Sequence, residues 1–307
     1  MVICVSKQLI PFEKQFMPTT AAESFSQFKS NLEVTDPQSS TLSTRQQSVR
    51  ASLAGGMDVI DSFLTGSYAR STMIAPLSEA DIDIFMVLDP KYYWHYNNQN
   101  GGCAGLLDLA KRTLLKTYTR TPDISRNGHA VTIRFDDFIV DVVLGFNRTG
   151  GGYIMANSIT NSWLETDPKK HVALMSDANK RHHGMLVPLI KMIKAWNKTH
   201  GSYFRSFHLE VLALSILNNV SITDFPSGIR FYFDKARELV KYQNPDPAGY
   251  GDDVGKYLTS RETASYKFQD AYQRALRAEQ FGNNSFYIRS AVDEWRNLFS
   301  NYFPAYG

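Results

Sequence analysis

Cysteine is scarce in this sequence, with only Cys4 and Cys103 among 307 residues. Two cysteines without neighbouring partners exclude a disulfide framework and a cysteine-rich zinc site. Long hydrophobic runs are also missing, because no apolar stretch reaches the ~18 residues that a membrane-spanning helix needs. The apolar run 2–5 is too short for the core of a signal peptide. We therefore expect a cytoplasmic protein that makes no membrane contact.

A strong excess of one charge is missing as well. The 33 Lys and Arg residues against 30 Asp and Glu residues give a formal net charge of +3. Proteins that bind duplex nucleic acid usually carry clustered basic stripes, and none stands out in this sequence. The charge suits an anionic small substrate in a local pocket at least as well as DNA. A hydrophobic content of 43% is enough for a sizeable core in one large domain or two packed lobes.

Residues up to about 146 have the character of mixed α and β structure. Segments rich in Val, Ile and Phe predict strands at 60–65, 82–88, 130–135 and 138–144. Apolar periodicity predicts helices at 21–32, 44–53 and 106–118, and Thr41 or Ser43 would cap the second of them.

A glycine-rich break at 148–152 separates this region from a mostly helical one. Helices are predicted there at 168–181, 185–198, 207–219, 229–242, 262–280 and 286–300, with a long loop at 244–255. We therefore predict an α+β protein in which a sheet lobe packs against a helical lobe. The central cleft between the lobes is where a ligand is expected to bind.

The turn Gly66-Ser67 follows a predicted strand and precedes a helix-like segment. Glycine lets the backbone approach a ligand closely, and a helix N-terminus offers free N–H groups to a phosphate. Ser67 would add a hydroxyl donor. When the pair is taken alone, an ordinary strand-to-helix turn is the simpler explanation.

Three carboxylates stand at unusual positions in the predicted strands. Asp81 and Asp83 lie two residues apart at a strand start, so they point to one face. A divalent cation would remove their mutual repulsion, and oxygen ligands suit Mg²⁺. Asp141 lies inside an otherwise apolar strand, where an unpaired charge is costly. The structural alternatives are a solvent-facing strand start for the pair and a core Asp paired with Lys or Arg for Asp141.

The joint pattern is more specific than its parts. The segment GSYARSTMI at 66–74, followed by DIDI at 81–84, resembles the signature of the cGAS/DncV-like nucleotidyltransferases (CD-NTases), which belong to the polymerase-β-like superfamily. The resemblance covers about residues 58–260. It implies a nucleotidyltransferase core of the polymerase-β-like type at residues 1–160, which includes an N-terminal helix. It also implies an oligoadenylate-synthase-like helical lobe at residues 161–307.

The resemblance also implies roles for the residues of the sheet lobe. Asp81, Asp83 and Asp141 would be the catalytic residues and the ligands of two Mg²⁺ or Mn²⁺ ions per site. Such a pair of ions can activate an attacking hydroxyl and neutralise a leaving pyrophosphate. Gly66 and Ser67 would bind the nucleotide.

Segments of the predicted helical lobe narrow the resemblance from the whole superfamily to the CD-NTases. LIKMIKAWN at 189–197 is similar to the family helix that carries a triphosphate-binding lysine, which implies nucleotide binding by Lys194 and Lys191. SFHLE at 206–210 resembles a Ser-aromatic segment, which implies that Phe207 stacks on a nucleobase and that Ser206 lies beside the phosphates.

The residues themselves leave simpler explanations open for these segments. Lys191 and Lys194 share a helix face, and on spacing alone a solvated basic face explains them better. Most phenylalanines are core residues, so Phe207 would ordinarily be one. The loop 246–255 resembles a late loop of the same family.

The resemblance implies an enzyme that condenses nucleoside triphosphates, ATP among them, into a cyclic di- or trinucleotide second messenger. The animal members of the family grip DNA with a zinc-binding insertion that two cysteines cannot form, so the bacterial antiphage branch is favoured and DNA is not expected as a substrate. That branch implies regulatory protein partners from an antiphage operon. Gly307 ends the chain, and some bacterial members are joined to partners through a C-terminal glycine.

Two other functions share the same carboxylates or the same pocket. One is a nucleotidyltransferase with another acceptor, such as an antibiotic, an RNA end or a protein side chain. The other is a catalytically silent nucleotide-binding protein. The presence of all three carboxylates argues against this second alternative.

Overall fold

A computed structural model describes residues 18–120 and 123–307, apart from the side chain of Glu79. In this part of the chain, seven strands form one sheet in the order β1-β2-β5-β4-β3, with β6 beside β5 and β7 beside β6. The strands are β1 (Val59–Thr65), β2 (Asp81–Leu88), β3 (Asp123–Asn127), β4 (Ala130–Arg134), β5 (Ile139–Asn147), β6 (Tyr153–Asn157) and β7 (Ser162–Thr166).

The centre of the sheet is a parallel pair, β2 and β5, flanked by antiparallel neighbours. Side chains alternate between the two faces of each strand. On β2, Ile82, Ile84 and Met86 are fully buried on one face. Asp81 and Asp83 lie on the other face, so the apolar alternation of this strand determines which face the carboxylates occupy.

Among the described residues, four helices belong to the sheet lobe: α2 (Asp36–Ala54), α3 (Gly66–Ala69), α4 (Pro90–Tyr96) and α5 (Gly102–Thr117). Apolar residues of α2 and α5, such as Leu42 and Leu106, share one core with Ile82 and Ile84 of the sheet. These two helices therefore cover the face of the sheet that carries no carboxylate.

The predicted start of α2 is wrong. The helix begins eight residues before Thr44, and neither Thr41 nor Ser43 caps it. Thr35 precedes the first turn, its N–H donates to Gln38 Oε1 at 3.1 Å, and Pro37 lies in that turn. Proline is favoured in the first turn of a helix because its missing N–H would be unpaired there.

The remaining helices form a second layer with its own core. They are α1 (Ala21–Asn31), α6 (Pro168–Arg181), α7 (Leu186–Thr199), α8 (Ser206–Ile216), α9 (Phe225–Leu239), α10 (Arg261–Gly282) and α11 (Ile288–Phe299). Helix α7 is buried along most of its length, and its Trp196 packs on Phe233 and Phe268. The six helices predicted after the glycine break are thereby all present.

Helix α1 departs from its predicted place. Phe25 packs edge-on against Trp295 with ring centroids 5.1 Å apart, and Phe28 lies 4.6 Å from Phe299. The N-terminal helix thus packs in the core of the helical lobe and not in that of the sheet lobe. Its amphipathic pattern predicts a buried face but does not say which partner covers it.

The sheet also extends further along the chain than the sequence predicts. Strands β6 and β7 follow the glycine break at 148–152, and β3 and α4 were not predicted either. Such short strands carry too few alternating residues to be recognised. The division at 160/161 stays a prediction, and the last strand of the sheet ends at Thr166. None of the described helices has the length and apolarity to cross a bilayer.

Candidate active site

Two carboxylates lie side by side on neighbouring strands. Asp83 of β2 pairs in register with Asp141 of the parallel strand β5. Paired residues of adjacent parallel strands point to the same face of a sheet, and so does Asp81, two residues before Asp83. The fold therefore gathers all three carboxylates on the face of the sheet that α2 and α5 leave open.

The turn after β1 places backbone directly against this acidic face. Gly66 has φ +66°, and a Cβ atom there would lie 1.7 Å from Asp83 Oδ2. Both facts require glycine, because other residues rarely adopt this φ and no side chain would fit. The chain enters the turn from Thr65, which lies opposite Asp83 in the β1–β2 register. The Gly-Ser turn and the Asp-x-Asp strand are thus one structural unit.

The clustered carboxylates resist ionisation. Burial of Asp83, together with the negative charges of Asp81 and Asp141, raises its pKa to about 7. Burial and the charge of Asp81 also raise the pKa of Asp141. A hydrogen bond opposes this shift, since Thr132 Oγ1 donates to Asp141 Oδ1 at 2.5 Å. The cluster holds more negative charge than its surroundings compensate.

This imbalance fits a divalent cation. All the donor atoms are carboxylate oxygens, the ligands that Mg²⁺ and Mn²⁺ prefer. Within residues 18–120 and 123–307, no three His, Cys, Asp or Glu side chains are already arranged as a metal cluster. Asp81 is exposed and Asp141 is engaged by Thr132, so these two carboxylates would have to turn toward an ion.

A cavity of about 500 Å³ opens in front of the carboxylates. Both lobes line it, since Thr65 and Phe85 come from the sheet lobe and Pro168 and Arg205 from the helical lobe. It brings together most of the predicted site residues, namely Gly66, Ser67, Asp81, Asp83, Ser206 and Phe207. Asp141 is not among the residues that line this cavity.

A smaller cavity of about 180 Å³ adjoins the first, and Ser67, Asp81 and Ser206 line both. Lys194 of α7 lies on the wall of the smaller cavity, and so does Lys198, one helical turn further on. Lys198 is not among the residues predicted for the site. Its spacing of four residues from Lys194 was the available signal, because residues four apart share a helix face.

Lys191 lies elsewhere. Its Nζ donates to Glu33 Oε2 at 2.7 Å, in the connection between α1 and α2. The side chain is buried, and it is not among the residues that line either cavity. The structure therefore brings Lys194, but not Lys191, to the other predicted residues.

A buried carboxylate that sequence reasoning missed connects the two lobes. Glu210 of α8 is fully buried and accepts hydrogen bonds from Arg70 Nε at 2.6 Å and Thr72 Oγ1 at 2.8 Å. It also accepts one from Lys194 Nζ at 3.3 Å. Burial alone would raise the pKa of Glu210, but the charges of Lys194 and Arg70 lower it. All the residues of this group lie inside the segments that carry the family resemblance.

Phe207 forms part of the cavity wall as a half-buried ring. The Arg70 guanidinium lies 5.0 Å from its centroid, and the His171 ring lies 4.9 Å away, tilted by 57°. An arginine over a ring is a favourable cation–π contact. The ring is therefore held in place while part of it remains available to a ligand.

Known proteins share this chain's sequence and fold. A cyclic AMP-AMP-AMP synthase of Acinetobacter sp. (strain ATCC 27244 / 9458) is 25% identical over 263 residues, which are 80% of this chain and 73% of the relative. A probable cyclic nucleotide synthase of Bacillus cereus (strain VD146) is 22% identical over 275 residues, 78% of this chain and 81% of the relative.

Solved structures of one further protein have the same fold. Escherichia coli MS115-1 CdnC in complex with HORMA-deltaN superposes with a TM-score of 0.67 at 16% identity. The same protein with ATP gives a TM-score of 0.68 at 15% identity. Each comparison covers 92% of this chain and 98% of the solved chain.

The family of Second Messenger Oligonucleotide or Dinucleotide Synthetase domains matches residues 18–179, more than half of the chain. This stretch contains the whole sheet, the Gly-Ser turn and the three carboxylates. The chain therefore belongs to this family of cGAS/DncV-like nucleotidyltransferases, which are enzymes of cyclic nucleotide synthesis.

Proposed function

We propose that this chain condenses nucleoside triphosphates into a cyclic di- or trinucleotide in the cavity in front of Asp81 and Asp83. The proposal rests chiefly on one observation. Three carboxylates share a sheet face with the glycine turn packed against Asp83, and the same cavity reaches Ser206 and Phe207 of the helical lobe. One nucleotide can therefore touch phosphate-binding and base-stacking groups at once.

The chemistry is a displacement at the α-phosphorus of one nucleotide. The ribose hydroxyl oxygen of another nucleotide forms the new P–O bond, and the bond to the β-phosphate bridging oxygen breaks to release pyrophosphate. Asp141 is the candidate to help activate that hydroxyl, through a metal ion that it would hold beside Asp83 on the same sheet face, and the released proton passes to water. A second displacement of the same kind closes the ring.

Asp81, Asp83 and Asp141 would hold two Mg²⁺ or Mn²⁺ ions. Bound ions supply charge neutralisation on the phosphates and lower the pKa of a coordinated hydroxyl. Gly66 and Ser67 contribute close backbone and a hydroxyl for the triphosphate.

The helical lobe supplies the remaining contacts. Lys194 offers a positive charge to the leaving pyrophosphate. Phe207 stacks on a base, which is worth ~1–3 kcal/mol in other nucleotide sites.

Incubation with all four triphosphates and Mg²⁺ or Mn²⁺ tests the proposal. Products are treated with phosphatase and analysed by mass spectrometry. A cyclic product lacks a terminal phosphate and survives the treatment. If products formed only after an antibiotic, an RNA or a protein was added, the chain would be a nucleotidyltransferase with another acceptor. If no condition gave turnover, even with the proteins encoded beside this chain's gene added, the synthase proposal would be wrong.

A role in antiviral signalling with a regulatory partner is part of the proposal. CdnC, which shares this fold, has been solved in complex with HORMA-deltaN. Activity that rises when the proteins encoded beside this chain's gene are added would support such regulation. Equal product formation with and without them would count against it.

A further inference from the structure

His171 of α6 lies on the wall of the large cavity, next to Phe207, and has no part in the chemistry proposed above. Its Nε2 is 2.6 Å from Asp246 Oδ1, and both side chains are largely buried. An ionised carboxylate can only accept hydrogen bonds, so Nε2 must carry the proton of this contact. Nδ1 is then an acceptor in the neutral imidazole and a donor in the imidazolium.

The orientation of His171 is fixed by Asp246, which is itself held by backbone N–H groups. Asp246 Oδ1 also accepts from the Ala248 N–H at 3.1 Å, and Oδ2 accepts from the Gly251 N–H at 3.0 Å. Burial alone would raise the pKa of Asp246, but the hydrogen bonds from His171 and from these backbone N–H groups, together with the positive charge of a protonated His171, lower it to about 2. Asp246 is therefore ionised near neutral pH, and its contact keeps a proton on Nε2 of the imidazole.

The loop that carries Asp246 is hydrogen-bonded to α6, the helix that carries His171. Lys170 Nζ donates to the Ala248 carbonyl oxygen at 2.8 Å, and Lys170 lies beside the Tyr250 ring. Within the described residues, Asp246 is the one hydrogen-bond partner of the His171 side chain, which leaves Nδ1 without a partner. A positioned ring nitrogen without a hydrogen-bond partner is thus held at the edge of the candidate base-stacking ring.

The geometry points to His171 as a specificity-determining residue that, in its neutral form, accepts a hydrogen bond from the 6-amino group of an adenine stacked on Phe207. This inference rests on the proposed function. The His171 ring is tilted by 57° to the Phe207 ring, so a base parallel to Phe207 would present its edge to the imidazole. An acceptor at that edge suits the 6-amino group of adenine and opposes the 6-oxo group of guanine.

Binding of α,β-methylene analogues of ATP and GTP, measured by calorimetry with Mg²⁺ at about pH 8.5, well above the ordinary histidine pKa of ~6.5, tests the inference without turnover. We expect the wild-type chain to bind the adenine analogue about 10- to 100-fold more tightly, the effect of leaving buried polar groups unpaired. His171→Phe keeps a ring beside Phe207 but removes both nitrogens, and should reduce the preference to less than about threefold by weakening the adenine analogue. Asp246→Asn should reduce it by a smaller factor, because an amide does not impose the tautomer.

His182→Phe is the matched control, since it makes the same change at the end of the same helix and outside this cavity. It should keep the wild-type preference. A wild-type chain that does not discriminate between the analogues would overturn the inference, as would a folded His171→Phe variant that discriminates fully or weakens both analogues equally. A chain that prefers adenine and makes no cyclic product would contradict the proposed function and leave this inference supported.

Discussion

Arg70 Nε donates to Glu210 Oε2 at 2.6 Å, and this contact joins the turn after β1 to helix α8. Both side chains are buried, with 8% and 0% of their surface exposed. The same guanidinium lies over Phe207, and the same carboxylate pairs with Lys194. One ion pair between the lobes therefore positions a candidate base-stacking ring and a candidate triphosphate-binding lysine together.

Glu210→Gln should be strongly destabilising. It leaves two buried cations, Arg70 and Lys194, without their carboxylate, and breaking a buried pair in this way costs ~3–5 kcal/mol. Glu165→Gln is the matched control, because its pair with Arg148 at 2.9 Å is 46% and 33% exposed and should be worth less than ~1 kcal/mol. Denaturant unfolding of the three proteins measures both losses. Similar losses for the two variants would show that Glu210 does not hold the lobes together.

Lys194→Ala should raise the KM for the triphosphate, because the pyrophosphate loses a charge-assisted contact. Lys191→Ala is the natural comparison and should raise KM less, since Lys191 is not among the residues that line either cavity. Initial rates at varied ATP concentration give both values. A larger effect at Lys191 would mean that the wrong lysine of α7 has been assigned to the triphosphate.

Phe207→Ala should weaken nucleotide binding by ~1–3 kcal/mol, the value of stacking on an aromatic ring. Phe207→Tyr keeps the flat ring and should bind nearly as tightly as the wild type. Fluorescent ATP analogues give the dissociation constants, with melting temperatures to verify folding. Two folded variants of equal affinity would argue that Phe207 is only a packing residue beside Arg70 and His171.

Stability without divalent ions should depend on Asp83 between about pH 4 and pH 7. Its pKa is raised to about 7 in the folded chain by burial and by the charges of Asp81 and Asp141, so the folded state binds this proton more tightly than the unfolded state. The resulting stabilisation is fully present below the unfolded pKa of ~3.9 and is lost as pH rises through the folded value.

Melting curves of wild type and Asp83→Asn in EDTA, at pH 5 and pH 8, isolate this effect. Relative to the wild type, the variant should be more stable at pH 8 than it is at pH 5. Added Mg²⁺ should narrow the difference between the two proteins at pH 8, because it binds the wild-type carboxylates. Parallel pH profiles for the two proteins would mean that Asp83 titrates normally.

Local sequence patterns were enough to predict the elements around the site but not how they meet. Alternation places Asp81 and Asp83 on one face of a strand, whereas the pairing of Asp83 with Asp141 depends on strand register, which is a long-range property. Spacing puts Lys191 and Lys194 on one face of α7. Of these two lysines, Lys191 is the one that pairs with Glu33, and Glu33 lies 158 residues away from it in sequence. No local pattern contains such a contact.

The carboxylates themselves provide the decisive prediction. Replacing Asp81 and Asp83 together by Asn preserves shape and removes two negative charges from the acidic face. Bound ions would then lose most of their anchorage, so turnover should fall by at least ~10³-fold, as when a principal electrostatic stabiliser is removed. The melting temperature without Mg²⁺ should hold or rise, because the burial of charge and the repulsion that together raise the pKa of Asp83 are relieved.

The matched control is the double variant Asp58→Asn and Asp61→Asn, which removes two charges from the same lobe. These carboxylates pair with Lys91 and Lys169 and are not among the residues that line either cavity. Product formation and melting temperature should be measured for all three proteins with and without Mg²⁺. A carboxylate pair that merely begins a strand would give two double variants of similar activity. If Asp81 and Asp83 form a metal site, their replacement should abolish both turnover and the stabilisation by Mg²⁺. The control variant should keep both. An active variant at those two positions would therefore exclude the proposed nucleotidyl transfer at this sheet face.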